Sequence, residues 1–249
     1  MLFDANCYLG AWPFGLMPEL SPSGLLRHLQ RSGIARAAVS PLDAVFAPEP
    51  MPANRRLFSA VRREHRLVPL PVVNPRLANW REQLAECAAE ARVSAVRLMP
   101  AYHGYRLRAV SDRFLTELAE AGLKPVLTVR LEDERQRYFA LNVKGVPVAD
   151  IAAFLARCPR MTALCTGLVV GEALQLAEAA DNFLADLAYL ENIELASLLR
   201  PRLPPRRLLF GTLTPMLSAQ AQTAKLAHPG FSATERRVVG FGNARRFFE

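Results

Sequence analysis

Leu2-Phe3-Asp4-Ala5-Asn6-Cys7-Tyr8-Leu9 follows directly behind Met1 and reads as a β-strand that ends at Gly10. It is too short for a helix of about 10–12 residues, and its polar residues recur every second position. Strict alternation puts Asp4, Asn6 and Tyr8 on one face and Cys7 on the other. The fold then depends on what repeats after this strand.

Seven further runs of the same Val/Leu/Ala-rich kind follow. They fall near Ala37–Leu42, Leu67–Asn74, Ser94–Met99, Lys124–Leu131, Met161–Leu168, Phe183–Leu190 and Arg207–Leu213. Between them lie amphipathic segments such as Asn79–Ala91, Asp112–Ala121, Val148–Cys158 and Glu172–Asp181, with Ser111 placed as an N-cap and Gly33 and Gly122 where helices should stop. Eight alternations at about 30 residues each suit a (β/α)8 TIM barrel, with a doubly wound open sheet as the alternative. No G-x-G-x-x-G follows the first strand, which weakens that alternative. No linker or low-complexity tract divides residues 1–249, so a single domain is expected.

Composition sets outer limits. Of 249 residues 51% are hydrophobic and 22% charged, which excludes a disordered or collagen-like chain. Cys7, Cys87, Cys158 and Cys165 form no C-x-x-C pair and read as buried thiols of a cytoplasmic protein. No leader-like segment and no run of ~20 apolar residues is present, so neither export nor a membrane is expected. The net charge of +8 is mostly arginine, since only Lys124, Lys144 and Lys225 are lysine. The basic run Arg200–Arg207 has no interleaved aromatics, and it lies before the eighth strand, at the barrel end opposite the expected pocket. Nucleic acid is not the expected partner.

Several stretches together resemble the amidohydrolase-related (amidohydrolase-2 type) barrel hydrolases. They are Phe3-Asp4-Ala5-Asn6-Cys7-Tyr8-Leu9-Gly10, Gly33-Ile34-Ala35-Arg36-Ala37, Val73-Asn74-Pro75 and Ala95-Val96-Arg97-Leu98-Met99-Pro100. Leu209-Phe210-Gly211-Thr212-Leu213-Thr214-Pro215 and Gly242-Asn243-Ala244-Arg245-Arg246-Phe247 complete the set, so the resemblance spans nearly the whole chain. It implies a metal-dependent barrel hydrolase with His-x-His on the first strand, one His each on the fifth and sixth, and an Asp ending the last. Here those positions read Asn6, Tyr8, no histidine in Val126–Arg130 or Ala163–Thr166, and Leu213. Zinc needs imidazole, thiolate or carboxylate, and harder ions want clustered oxygens, chiefly carboxylates. The ordinary metal centre is therefore expected to be missing, and no cofactor is expected.

The remaining chemistry gathers at the C-terminal mouth. His103 lies just past the fourth strand and is one candidate catalytic group; Asp186, on the Leu184/Asp186/Ala188 face of the seventh strand, is the other. His28, His65 and His228 fall on helical or loop stretches. Asn6, Tyr8, Arg97, Tyr102, Arg130 and Asp133 are the candidate ligand-binding residues. Arg97 sits among apolar strand neighbours and needs a partner: an ion pair with Asp4, Asp186 or Glu132, or an anionic ligand. Arg130 has the same two readings, either within the self-paired run Arg130–Arg137 or, with Asp133 or Glu132, as a polar cluster. Tyr8, Trp12, Phe14, Tyr102, Tyr105, Tyr138 and Tyr189 either line a pocket or close a mouth that has lost its metal.

Two functions stay open. One is a barrel protein without the usual metal centre that binds a small anionic molecule and is catalytically silent, a pseudoenzyme. The other is a metal-independent hydrolase or lactonase acting on a carboxylate-bearing substrate, with His103 or an acidic residue activating water. A homo-oligomer is compatible with both.

Overall fold

The structure is a computed structural model that describes residues 1–14, 21–134 and 141–249. Among them eight strands alternate with helices. The strands are β1 (Leu2–Leu9), β2 (Ile34–Pro41), β3 (Leu67–Pro69), β4 (Ala95–Leu98), β5 (Lys124–Thr128), β6 (Ala163–Thr166), β7 (Phe183–Asp186) and β8 (Leu208–Leu209). The helices are α1 (Pro22–Arg31), α2 (Met51–Val61), α3 (Trp80–Ala89), α4 (Asp112–Glu120) and α5 (Val148–Arg157). They continue with α6 (Val170–Ala179), α7 (Leu195–Leu199), α8 (Ala219–Ala227), α9 (Ala233–Arg237) and α10 (Asn243–Phe248).

All strand pairs are parallel, β1 to β3 in one run and β4 to β8 in another. Backbone hydrogen bonds close both seams. Arg97 N donates to Pro71 O at 2.7 Å and Val73 N to Arg97 O at 3.0 Å, while Ala5 N donates to Phe210 O at 2.8 Å and Tyr8 N to Thr214 O at 2.9 Å. The result is a closed (β/α)8 barrel. Two strands are shorter than their apolar runs. Pro69 and Pro71 have no N–H to continue β3, and after β8 the backbone turns at Leu213, whose φ is +56°.

The helices form for local reasons. Ser111 Oγ accepts from Phe114 N at 3.2 Å and caps α4, whose Phe114, Leu115 and Leu118 form one buried stripe. Gly33 and Gly122 both have φ of +68°, in the turns that follow α1 and α4. Helix α6 starts two residues before the expected Glu172, because that side chain reaches back to Val169 N at 3.1 Å.

Three layers of core result. Cys7, Cys165, Leu127 and Val129 join the helices in the outer shell, as strand alternation predicts. Phe3, Ala5, Ala38, Val68, Leu70, Ala95, Val126, Leu164 and Leu209 fill the lower barrel, where α10 plugs the end with Ala244, Phe247 and Phe248. Tyr8, Trp12, Val72, Met99, Leu131, Ala188, Tyr189 and Leu213 are part of the upper layer.

One register detail corrects the reading of β1. Asp4 lies opposite Ala37 and Cys7 opposite Val39, so β1 advances three residues against two. This bulge exchanges the faces: Phe3 and Ala5 point inward below it, Asn6 and Tyr8 above it. Asp4 is therefore separated from Asn6 and Tyr8 and turns to β8 instead. Its Oδ1 accepts from Asn6 N at 3.0 Å and Thr212 N at 2.9 Å, and its Oδ2 from Cys7 Sγ at 2.8 Å and from Thr212 Oγ1.

Three arginines of the basic run before β8 have partners elsewhere in the fold. Arg207 is nearly buried and donates to Ala180 O at 2.9 Å and Phe183 O at 3.2 Å, while Arg200 pairs with Glu235 and Arg202 with Glu178. Among the described residues, no helix is long and apolar enough to cross a membrane.

Candidate functional site

The barrel centre is polar and sealed. Arg97 enters from β4 with none of its surface exposed. Its Nε donates to Ser40 Oγ at 2.8 Å, Nη1 to Thr128 Oγ1 at 3.0 Å and Thr166 Oγ1 at 3.3 Å, and Nη2 to Asn6 Oδ1 at 3.1 Å. The Tyr8 ring lies 4.7 Å from the guanidinium carbon, a cation–π contact. Strands β1, β2, β5 and β6 thus each send one hydrogen-bonding side chain to a single cation. Ser40 Oγ in turn donates to Leu70 O at 2.7 Å, which locks its hydroxyl as an acceptor toward Arg97.

The charge of Arg97 is balanced at one remove. Asn6 Nδ2 donates to Asp186 Oδ2 at 2.8 Å, and Gly167 N donates to Asp186 Oδ1 at 2.9 Å. None of the expected ion pairs of Arg97 with Asp4, Asp186 or Glu132 forms, because the bulge removes Asp4 and Asn6 occupies the space before Asp186. Burial pushes the Asp186 carboxyl up, against the lowering effect of the Gly167 N–H, Asn6 and the nearby Arg97 charge. Burial likewise penalises the Arg97 guanidinium, which nonetheless stays protonated. The Tyr8 hydroxyl is buried beside Thr128 and Arg97.

The donor set does not fit a divalent ion. Asn6, Tyr8, Thr128, Thr166 and Asp186 offer one carboxylate among neutral oxygens, and a guanidinium stands between them. Among the described residues, no group of three or more His, Cys, Asp or Glu side chains could hold a metal. Leu213, at the position that the resemblance assigns to a metal-binding Asp, is fully buried in the upper layer.

Above this centre the mouth is closed by aromatic clasps on the segment after β5. Tyr102 Oη accepts from Leu131 N at 3.1 Å, Tyr189 Oη donates to Leu131 O at 3.2 Å, and Trp12 Nε1 donates to Glu132 Oε1 at 3.0 Å. Trp12, Phe14, Phe46 and Tyr102 pack ring to ring at 5.2–5.9 Å between centroids. Tyr105 departs from the expected mouth cluster and packs in the outer shell. Tyr138 and Arg135–Arg137 lie outside the described residues.

The other predicted residues are placed apart from Arg97. His103 Nε2 donates to Ala44 O at 3.0 Å, while its Nδ1 is buried with no partner among the described residues. Burial lowers its pKa, so the imidazole is neutral with Nδ1 unprotonated. Arg130 reaches α6. It holds Glu172 bidentately at 2.6 and 2.7 Å and donates to Gly167 O at 2.6 Å, with Glu134 at 3.6 Å. Gly167, with φ of +83°, is needed there, since a Cβ would come within 2.5 Å of Arg130 O. Arg130, Asp133, Glu172 and Tyr189 line an open cavity of about 570 Å³ beside the mouth. Thus Asn6, Tyr8, Arg97 and Asp186 converge, Arg130 and Asp133 share a second place, and His103 and Tyr102 belong to the closing layer.

Ser40, Thr128 and Thr166 were missed as partners of Arg97. Their signal was present, since each is a hydroxyl in an otherwise apolar strand end.

No protein-family model matches the chain, and no curated protein matches it. Solved structures do. A 2,6-dihydroxybenzoate decarboxylase from Rhizobium superposes with a TM-score of 0.74 at 14% identity, covering 100% of this chain and 99% of the other. A 5-carboxyvanillate decarboxylase from Sphingomonas paucimobilis gives 0.76 at 12% identity over 99% and 98% of the two chains. A dihydroxybenzoic acid decarboxylase from a Polaromonas species, with manganese and 2-nitroresorcinol bound, gives 0.79 at 13% identity over 99% and 96%. At such identities the likeness shows that this chain has the barrel fold of these decarboxylases.

Proposed function

We propose that the chain is a divergent amidohydrolase-type barrel whose metal centre has become a structural hydrogen-bond network, and that it binds a small carboxylate-bearing molecule in the open cavity beside the C-terminal mouth without turning it over. The observation that carries this reading is Arg97. A protein-borne cation, fully buried and bonded to oxygens from four strands, stands in the barrel centre where a metal hydrolase needs open coordination. The solved neighbours are named as decarboxylases of aromatic carboxylates, which supports that ligand class. Arg130 lines the cavity beside the mouth with Asp133, Glu134, Glu172 and Glu191, and Glu172 and Glu134 already pair with it, so a carboxylate ligand has to take the place of one of these partners.

The test is metal analysis of the purified chain together with calorimetry against 2,6-dihydroxybenzoate. The expected result is no stoichiometric metal, no carbon dioxide release and saturable binding that Arg130→Gln weakens at least tenfold. Stoichiometric manganese or zinc with decarboxylation overturns the reading.

A second reading is metal-independent ester or lactone hydrolysis, favoured by the unpartnered, unprotonated Nδ1 of His103. It requires hydrolysis that His103→Ala abolishes. Asp186 enters this reading only if the barrel centre opens, because its carboxylate is sealed beneath the mouth.

A further inference from the structure

A second cavity lies on the flank of the barrel, between α7 and α8. Its volume is about 280 Å³, at the small end of the ~300–1,000 Å³ typical of ligand pockets. Leu195, Ala196 and Phe231 give it apolar walls, and among the described residues Lys225 is the one lysine or arginine that lines it. Gly230 keeps it open, because a Cβ there would lie 3.2 Å from the Ala196 Cβ.

Lys225 reaches inward from α8. Its Nζ donates to Leu187 O at 2.7 Å and Ala188 O at 3.1 Å. An ammonium has three hydrogens, so one donor remains after these two. Among the described residues, no carboxylate lies within salt-bridge distance of Nζ. Asn192 also lines the cavity; its Oδ1 accepts from Glu194 N at 2.8 Å, which turns the amide NH2 into the available half. A half-buried cation, an amide donor and apolar walls complement an anion with an apolar body.

We propose that this cavity is a binding site for a small monocarboxylate with an apolar body, its carboxylate paired with Lys225 and its body against Leu195, Ala196 and Phe231. The site is separate from the mouth cavity and does not depend on the function proposed above. Burial pushes the Lys225 ammonium down to about 8, while Glu191 after β7 and Asp186 at the end of β7 act in the opposite direction; the His228 ring also lines the cavity. Pairing requires the protonated amine, so affinity falls as pH rises through this value.

The experiment is calorimetric titration of the full chain with benzoate, with neutral benzamide as the comparison, at pH 7 and pH 9.5. Variants are Lys225→Met, Ala224→Phe, which fills the cavity from an exposed helix position, and Arg130→Gln. The expected result is a benzoate site, retained in Arg130→Gln, that both cavity variants weaken at least tenfold, that benzamide occupies at least tenfold more weakly, and that weakens about tenfold or more at pH 9.5. Arg130→Gln leaves it unchanged, which separates this site from the mouth. In the Arg130→Gln background, absence of binding at millimolar benzoate, equal affinity for benzamide, or binding that survives Ala224→Phe overturns the proposal.

Discussion

Arg97 and Asp186 are joined through a single carboxamide, that of Asn6, which accepts from the guanidinium at 3.1 Å and donates to the carboxylate at 2.8 Å. An arginine can only donate, so the amide oxygen of Asn6 must face it and the amide NH2 is left for Asp186. The two buried charges keep their hydration replaced without direct contact.

Removing this link exposes both charges to desolvation at once. Asn6→Ala should cost about 3 kcal/mol or more, since each lost bond involves a charged group. Urea denaturation checks it. A cost under about 1 kcal/mol would mean that Asn6 is not the bridge.

Asp4 ties β1 to β8, and burial raises its pKa to about 6 despite four hydrogen-bond donors around it. A carboxyl raised above its unfolded value of 3.8 favours the fold when protonated. Its contribution is present below about pH 4 and is lost as pH rises through about 6. Asp4→Asn removes this titration while keeping an acceptor for the two backbone N–H groups. From pH 4 to pH 7 the wild type should therefore lose up to about 3 kcal/mol relative to the variant, measured by denaturant midpoints at each pH. A constant difference would show that Asp4 has an ordinary pKa in the fold.

Gly211 lets the β8 backbone approach Asp186, because a Cβ would come within 2.7 Å of Oδ2 and 2.8 Å of the Asp186 Cβ. Gly211→Ala should cost about 2–3 kcal/mol, the range of overpacked cores. The double variant Gly211→Ala, Asp186→Ala should not show the two costs as additive, because removing the carboxylate makes room.

Metal supply should leave stability unchanged. A ligand present at 100 times its Kd stabilises a fold by about 2.7 kcal/mol. If the barrel centre takes no divalent ion, millimolar manganese, zinc or EDTA should shift Tm by no more than about 1 °C. A rise of several degrees with manganese would place a metal site in this barrel.

Eight strands and their order were legible because each is a local apolar run with local punctuation. Ser111 and Gly122 mark the ends of α4 by side-chain and backbone chemistry that needs no distant partner. The site was legible only in part. Asn6, Tyr8, Arg97 and Asp186 were singled out as polar residues on inward faces, and they converge. Asp4 was misplaced because a bulge of one residue reverses the parity that alternation assumes. Arg130 pairs with Glu134 inside its own run, as one reading had it, and Glu172 of α6 is the partner that no local pattern names.

What the chain's own order of residues determined is the repeating β/α pattern and the chemical inventory, including the lack of histidines on the strands that would carry metal ligands. Both are properties of short windows and of residue types. What only the tertiary structure decided is which groups meet. Asn6 reaches Asp186 across 180 residues and Asp4 reaches Thr212 across 208. Contacts at that separation are set by barrel closure, register and one bulge, and a periodicity of two or 3.6 residues carries no information about them.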